Sequence, residues 1–308
     1  MTPAAGLPAA TMHVFERGWL SSNNILFIGR DETAIVDTGY ASHAPQTLAL
    51  VEAALGGRPL DRLLNTHLHS DHCGGNAELQ RRYPGLRTAI PPGEAEAVRD
   101  WNEEALSHAA LSQQCPRFVF DALLRPSGEV LLGDMAWQVH AAKGHDPHSV
   151  ILFEPISRTL LSADALWQKG FGIVFPELAG EPSFDEVAAT LDLIESLRPA
   201  RVVPGHGAPF EDVADALVAA RSRLDAFARE PLRHARHALK ALLKFKLLEI
   251  QEIARPDWES MLTRTPYLES IKARFFADQD ARELGEELLG ELVRSGLAGV
   301  EGNLIRNK

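Results

Sequence analysis

Hydrophobic and polar positions follow two alternating periods along the chain. Residues 25–28 and 34–36 are short apolar runs closed by turn formers, Gly29-Arg30-Asp31 and Asp37-Thr38-Gly39, and they predict two strands. Leu48, Val51 and Leu55 recur at helical spacing and predict a helix over 44–55. A strand over 62–65 runs straight into His67, and a helix over 76–83 stops at Pro84-Gly85. The plan then repeats. Strands are predicted over 130–132, 136–141, 150–153 and 159–161, followed by a helix over 184–197. A strand over 201–203 leads into Pro204-Gly205-His206-Gly207. Ser183 and Glu186 are spaced as a capping box for the 184–197 helix. Strand clusters interleaved with helices, in two similar halves, predict two packed sheets with helices outside.

From about residue 211 the pattern turns helical, with no strand predicted before the tail. Residues 232–250 read as a basic amphipathic helix and 280–295 as an acidic one, ended by Ser295-Gly296. The segment 297–305 predicts a small hairpin. Pro231 marks a boundary near 230, dividing a larger region, 1–229, from a C-terminal helical region, 230–308.

Charge sharpens this division. The net charge is −11. Residues 230–308 carry 13 basic and 13 acidic residues, so the excess of acid belongs to 1–229. An acidic body repels polyanions, which argues against nucleic acid as a partner. The basic face of Arg233, Arg236, Lys240 and Lys244 reads as a solvated helix face rather than an RNA contact. Two cysteines, Cys73 and Cys115, make no disulfide framework and fit a reducing compartment. The opening residues, MTPAAGLPAATMHVFERG, lack the charged start and apolar core of a signal peptide. No apolar run approaches the roughly 20 residues that span a bilayer. These readings predict a cytoplasmic protein with no membrane partner.

The chemistry concentrates in Thr66-His67-Leu68-His69-Ser70-Asp71-His72, where four groups able to bind a divalent metal fall within six residues of a strand end. Imidazole suits zinc and iron, and a carboxylate adds charge and can bridge a second ion. A loop, unlike a helix, can turn His67 and His69 toward one ion while Asp71 and His72 face another.

This stretch resembles the HxHxDH signature of the metallo-β-lactamase superfamily, and the resemblance extends over roughly residues 12–210. His145 in Gly144-His145-Asp146-Pro147, Asp164 in Leu161-Ser162-Ala163-Asp164 and His206 between Gly205 and Gly207 match the family's later ligands. Asp37 matches its early strand-end aspartate, which supports the site from behind the ligands. The resemblance implies an αββα sandwich. It also implies two divalent transition metals, zinc first with iron or manganese as options, about 3.5–4 Å apart and sharing a hydroxide. His67, His69 and His145 would hold one metal and Asp71, His72 and His206 the other, with Asp164 between them. Asp71 would also act catalytically, relaying a proton to the leaving group. Cys73 reads as a buried thiol rather than a nucleophile.

The chain departs from the family pattern at two places. Ala163 stands where glycine is usual. Asp146-Pro147-His148-Ser149 replaces a glycine-containing stretch, which makes His148 a candidate for support behind the ligands. Trp167, Phe171 and Phe175, in the segment after Asp164, are expected to line the substrate site, and Trp101 and Trp137 to pack in the core or against helices. Residues 230–308 resemble the winged-helix-like appendage of some superfamily members, those of the β-lactamase-like-protein-2 type among them. That implies either a cover over the site or a homodimer interface.

The function implied is hydrolysis of a small-molecule ester, thioester or lactone, as in the glyoxalase-II and lactonase branches. No C-terminal basic pair marks a glutathione site. Two alternatives stand: a phosphodiesterase or ribonuclease of the same superfamily, and a non-enzymatic metal-binding effector.

Overall fold

The computed structural model describes residues 10–308; the reading of the opening residues as lacking a leader falls largely on 1–9, outside the described residues. The first sheet contains β1 (Thr11–Phe15), β2 (Asn24–Ile28) and β3 (Thr33–Val36). Next come helix α1 (Ala44–Leu55), β4 (Arg62–Leu64), α2 (Ser70–Cys73), α3 (Asn76–Arg82), β5 (Arg87–Ile90), α4 (Ala95–Asp100) and β6 (Ala122–Leu123). Its six strands lie in sequence order, antiparallel from β1 to β3 and parallel from β3 to β6.

The second sheet is built from β7 (Glu129–Leu132), β8 (Met135–Ala141), β9 (Val150–Glu154) and β10 (Thr159–Ala163), then, beyond α5 (Phe175–Ala179) and α6 (Phe184–Leu197), β11 (Arg201–Pro204). Its order is β11-β10-β9-β8-β7, with β10 and β11 parallel.

Period-two alternation sorts the side chains into layers. Ile25 and Phe27 of β2 point inward and meet Trp137, Val139 and Leu152 of the second sheet. Leu26 of β2 and Ile35 of β3 point outward onto Val51 and Leu55 of α1 and Leu79 of α3. On the far side, Ile151 and Leu160 pack on Leu191 and Ile194 of α6, and on Ala216 and Ala220 of α7 (Val213–Arg229). The result is an αββα sandwich. Trp137 is fully buried between the sheets, with its indole N–H donated to the Leu132 carbonyl at 3.2 Å. Trp101 packs edge-on against Phe118.

The C-terminal region starts where α7 ends. Glu230 separates it from α8 (Pro231–Ile250), and β12 (Glu252–Ala254), α9 (Arg255–Arg264), α10 (Pro266–Phe275), α11 (Ala281–Arg294), β13 (Ala298–Glu301) and β14 (Leu304–Asn307) follow. Leu239, Leu243, Trp258, Leu262, Leu288 and Ile305 form one core cluster with Leu178 of α5, and Ile173 and Phe175 pack against it. The expected tail hairpin is β13–β14, and β12 adds a third strand that the sequence pattern does not predict. Helices ahead of a terminal hairpin give the region a winged-helix-like order.

Two further expectations are corrected. Ser183 makes no side-chain cap; the Glu177 carboxylate accepts instead from the amides of Ser183 and Phe184, at 2.6 and 2.8 Å, while Glu186 turns to Lys143. On the basic face of α8 Arg233 stays exposed, but Arg236, Lys240 and Lys244 are not left to solvent. Arg236 and Lys240 pair with Glu291, and Arg236 with Glu287, on the acidic helix α11. The Lys244 ammonium donates to the carbonyls of Leu297 and Lys308.

Candidate metal centre

The parallel pairs β3/β4 and β10/β11 end at one edge of the sandwich, and β8 runs the same way as β10 across the antiparallel β9. Chain segments leaving those strand ends carry all seven candidate ligands. His67 and His69 follow β4, Asp71 and His72 lie in α2, His145 follows β8, Asp164 follows β10 and His206 follows β11. Donor atoms of His67, His69 and His145 all lie within 4.8 Å of one another. The same limit holds for Asp71, His72 and His206, and for His67, His72 and Asp164. The Asp164 carboxylate lies between the groups. Its Oδ2 is 3.4 Å from His145 Nε2, and its Oδ1 is 3.5 Å from His72 Nε2 and 3.8 Å from His206 Nε2.

Each ring is set from behind, which fixes the nitrogen it presents. His145 Nδ1–H donates to the Ile173 carbonyl at 2.6 Å, leaving Nε2 to face His69 Nδ1 at 2.9 Å. His72 Nδ1–H donates to Asp37 at 2.8 Å, and Asp37 also accepts from the Thr66 amide and hydroxyl. Asp37 thus joins the ends of β3 and β4, from a left-handed backbone (φ 57°) that non-glycine residues seldom adopt. Ala163 shares that conformation (φ 45°) at the bulge before Asp164, which accounts physically for glycine being usual there.

Gly205 is required by space rather than by backbone angle: a Cβ there would lie 2.2 Å from Asp164 Oδ1. The Asn23 side-chain amide pins the turn around it by donating to the Pro204 and Gly207 carbonyls.

The electrostatics suit a cation. His67 Nε2 and His72 Nε2 are buried and have no hydrogen-bond partner among the described residues. Burial and the neighbouring rings hold His67 well below its ordinary pKa, and burial with His145 holds His69 down to about 4, so both rings present lone pairs. Burial would raise Asp164, but His72 and His206 hold it well below the usual carboxylate range. Burial would likewise raise Asp71, and its hydrogen bond from His206 at 3.1 Å overcomes that. Two buried carboxylates and several unpaired ring nitrogens converging on one point are unfavourable unless positive charge sits between them. The donor set, imidazole with carboxylate, fits zinc, iron or manganese.

A pocket of about 630 Å³ opens over this cluster. Trp167, Phe175, Ile173, Phe245 and Leu248 are among its lining residues. Phe171 is a correction: it lies on the side of the loop turned toward α7 and is buried against Phe227. His148 is exposed, with its ring beside Gly93, and it lines no part of the pocket. Its neighbour Asp146 is the group that approaches His69 Nε2, at 3.8 Å.

Sequence reasoning missed Asp146 and also Trp19, whose ring stacks on His206 at 5.4 Å. No spacing signal marks either residue, since only folding brings Trp19 to the far end of the ligand series. Cys73 is fully buried, with its sulfur 3.6 Å from that of Cys115, and burial pushes its thiol up.

The family model described as the metallo-beta-lactamase superfamily matches residues 17–206. A hydroxyacylglutathione hydrolase of Anaeromyxobacter dehalogenans is 30% identical over 161 residues, which are 52% of this chain and 52% of that protein. The chain therefore spans about half the length of that relative. A probable metallo-hydrolase of Bacillus subtilis is 26% identical over 178 residues, 58% of this chain and 76% of that one. Among solved structures, a metallo-beta-lactamase family protein from Thermus thermophilus superposes with a TM-score of 0.57 at 20% identity. That match covers 99% of this chain and 100% of the other, so the fold likeness includes the C-terminal region.

Proposed function

The chain belongs to the metallo-beta-lactamase superfamily, and from that premise we propose that it is a hydrolase that cleaves an ester, thioester or lactone of a small molecule with two divalent metal ions. One observation carries the reading. Seven donors converge in two groups, and Asp164 presents one oxygen toward His145 and the other toward His72 and His206. His67, His69 and His145 would hold the first ion and Asp71, His72 and His206 the second, with Asp164 shared. Two such ions, when bound, lower the pKa of water at the site and draw electron density from the scissile carbonyl.

The remaining work falls to the chain. Ile173 and Asp37 orient His145 and His72. Asp71, less buried than His72 and His206, lines the pocket and would pass a proton to the leaving group. The apolar wall of Ile173, Phe175, Phe245 and Leu248 holds an acyl group and keeps bulk water from it.

The lining favours an acyl substrate over a phosphodiester, because polar groups are few outside the metal cluster and the pocket's basic rim. A panel of p-nitrophenyl esters, thioesters, lactones and phosphodiesters, assayed with metal-loaded protein, tests the reading. Turnover of the acyl compounds is expected. Turnover of the phosphodiesters alone would replace this function with the phosphodiesterase one.

A further inference from the structure

A second cavity adjoins the pocket over the candidate metal centre. It holds about 700 Å³ and lies between α7 and α8. Five cationic residues line it, Lys169, Arg223, Arg233, Arg236 and Lys240, with Glu291 as the one acid. Glu291 is engaged by Arg236 and Lys240. In a chain of net charge −11, this is a local reversal of sign.

Arg223 is the telling residue. Its guanidinium is partly desolvated, with no carboxylate within ion-pair distance among the described residues, and burial lowers its pKa. It lies flat against Gly170, where a Cβ would sit 2.6 Å from its Cζ. Burial, Arg223 and Lys240 together hold the neighbouring His237 down to about 4, so that ring stays neutral among the cations. A half-buried guanidinium without a partner is costly unless a ligand supplies the anion.

The two cavities share Lys169, Arg223, His237 and Lys240 as walls. One tight turn separates them. The Trp167 amide donates to the Gly170 carbonyl at 2.6 Å, while the Trp167 indole N–H reaches Asp164 Oδ1 at 3.2 Å. Trp167 therefore faces the metal cluster, and Lys169 and the Gly170-supported Arg223 face the basic cleft.

We propose that the basic cleft binds the phosphates of a phosphorylated thiol carrier, so that the substrate is an acyl thioester of a coenzyme-A-type thiol. The acyl chain would lie in the apolar pocket, the thioester at the metal cluster and the phosphates on Lys169, Arg223 and Lys240. This deepens the acyl-hydrolase reading and rests on it. Water adds to the thioester carbonyl, the carbon–sulfur bond breaks, and the thiol leaves with the carrier as the carboxylic acid gives up its proton. Several phosphates match a surplus of three positive charges, five cations against Glu291 and Glu287, better than a peptide thiol with a net charge near −1 does. The apolar pocket beside the cleft fits an acyl group and offers a nucleic-acid strand nothing.

Two readouts on the full-length, metal-loaded protein test this. The first is calorimetric binding of adenosine 3′,5′-diphosphate, which carries the phosphates and no thiol. The second is the ratio of kcat/KM for octanoyl-coenzyme A to that for octanoyl-N-acetylcysteamine, which has the same reacting bond without phosphates. Arg223→Gln and Lys169→Gln are each expected to weaken the binding and to lower the ratio by about tenfold or more, as loss of a charged hydrogen bond does. Arg81→Gln, on the exposed face of α3, is expected to leave both intact.

A ratio near one, or nucleotide binding indifferent to Arg223, overturns the proposal while leaving the hydrolase reading in place. Preference for an acyl-glutathione over the coenzyme A thioester does the same. Displacement of the nucleotide by an oligoribonucleotide that the protein then cleaves also overturns it. Hydrolysis of neither thioester overturns it as well, whereas the underlying hydrolase function falls only if the ester and lactone panel also shows no turnover.

Discussion

At the scale of single residues the site depends on groups that never reach the substrate. Asp37 fixes the tautomer of His72 by accepting its Nδ1–H, so Asp37→Ala is expected to weaken metal affinity by about 10–100-fold. Equilibrium dialysis checks this, and unchanged affinity would remove Asp37 from the account. Gly205→Ala is expected to be as damaging, because its methyl would occupy the space of Asp164 Oδ1. His148→Ala, with its ring at the surface, is expected to leave metal content unchanged.

The buried histidines also set a pH dependence. His69, His234 and His237 are held down to about 4 and His67 well below its ordinary value, mainly by burial, whereas an unfolded chain protonates histidine near 6.5. Between these limits the unfolded state binds more protons, so stability falls as pH drops from about 6.5 to about 4. Glu94 acts in the opposite sense. Burial and Asp146 hold it up to about 8, and it carries a proton that the unfolded state lacks. It is one group against the four histidines named, and burial lowers His43 and His140 in the same sense as those four. His72, raised by Asp164 and Asp37 against the effect of burial, is charged in both states within this window and contributes no slope there. Denaturant midpoints of the metal-free protein should therefore fall toward pH 4, with a shallower slope in His237→Gln. A midpoint that rises as the pH drops would contradict this.

Elements show where local pattern and folded context part. Helices of 12 and 14 residues, α1 and α6, were legible because their apolar stripes span several turns. β5, β6 and β12, of two to four residues, were not: unlike the equally short β3 and β4 they lack a run of large apolar residues, and they are strands because a neighbour pairs with them.

The N-terminus of α6 is the sharpest case. The Ser183–Glu186 spacing predicted a capping box, but Glu177, six residues before the cap, supplies the acceptor. Glu177→Ala is expected to destabilise the fold by about 1 kcal/mol, and Ser183→Ala by far less. Chemical denaturation of the two variants compares them directly, and the reverse ranking would restore the box. The seven candidate ligands were readable for a related reason. Each lies close to a strand end, and their spacing along the chain is dictated by the sheets that carry them. Trp19, Asp146 and the basic cleft between α7 and α8 have no such local mark, because distant segments build them.

At the scale of the molecule, the C-terminal region completes the pocket. Phe245 and Leu248 of α8 form one wall, and the Tyr40 hydroxyl, donating to Glu249 at 3.0 Å and accepting from the Gln114 amide at 2.9 Å, ties α8 to the sandwich. Sequence alone left a cover and a dimer interface as alternatives for this region, since amphipathic helices serve either. In this structure α8 of the same chain lines the pocket that opens on the candidate metal centre.

The central claim, two metal ions sharing Asp164, is tested most directly by elemental analysis of protein purified without chelators, alongside Asp164→Asn. The account predicts close to two transition-metal ions per chain in the unaltered protein. It predicts a clear loss, chiefly of the ion held by Asp71, His72 and His206, in the variant. A metal-free unaltered protein, or two ions retained in Asp164→Asn, would contradict it.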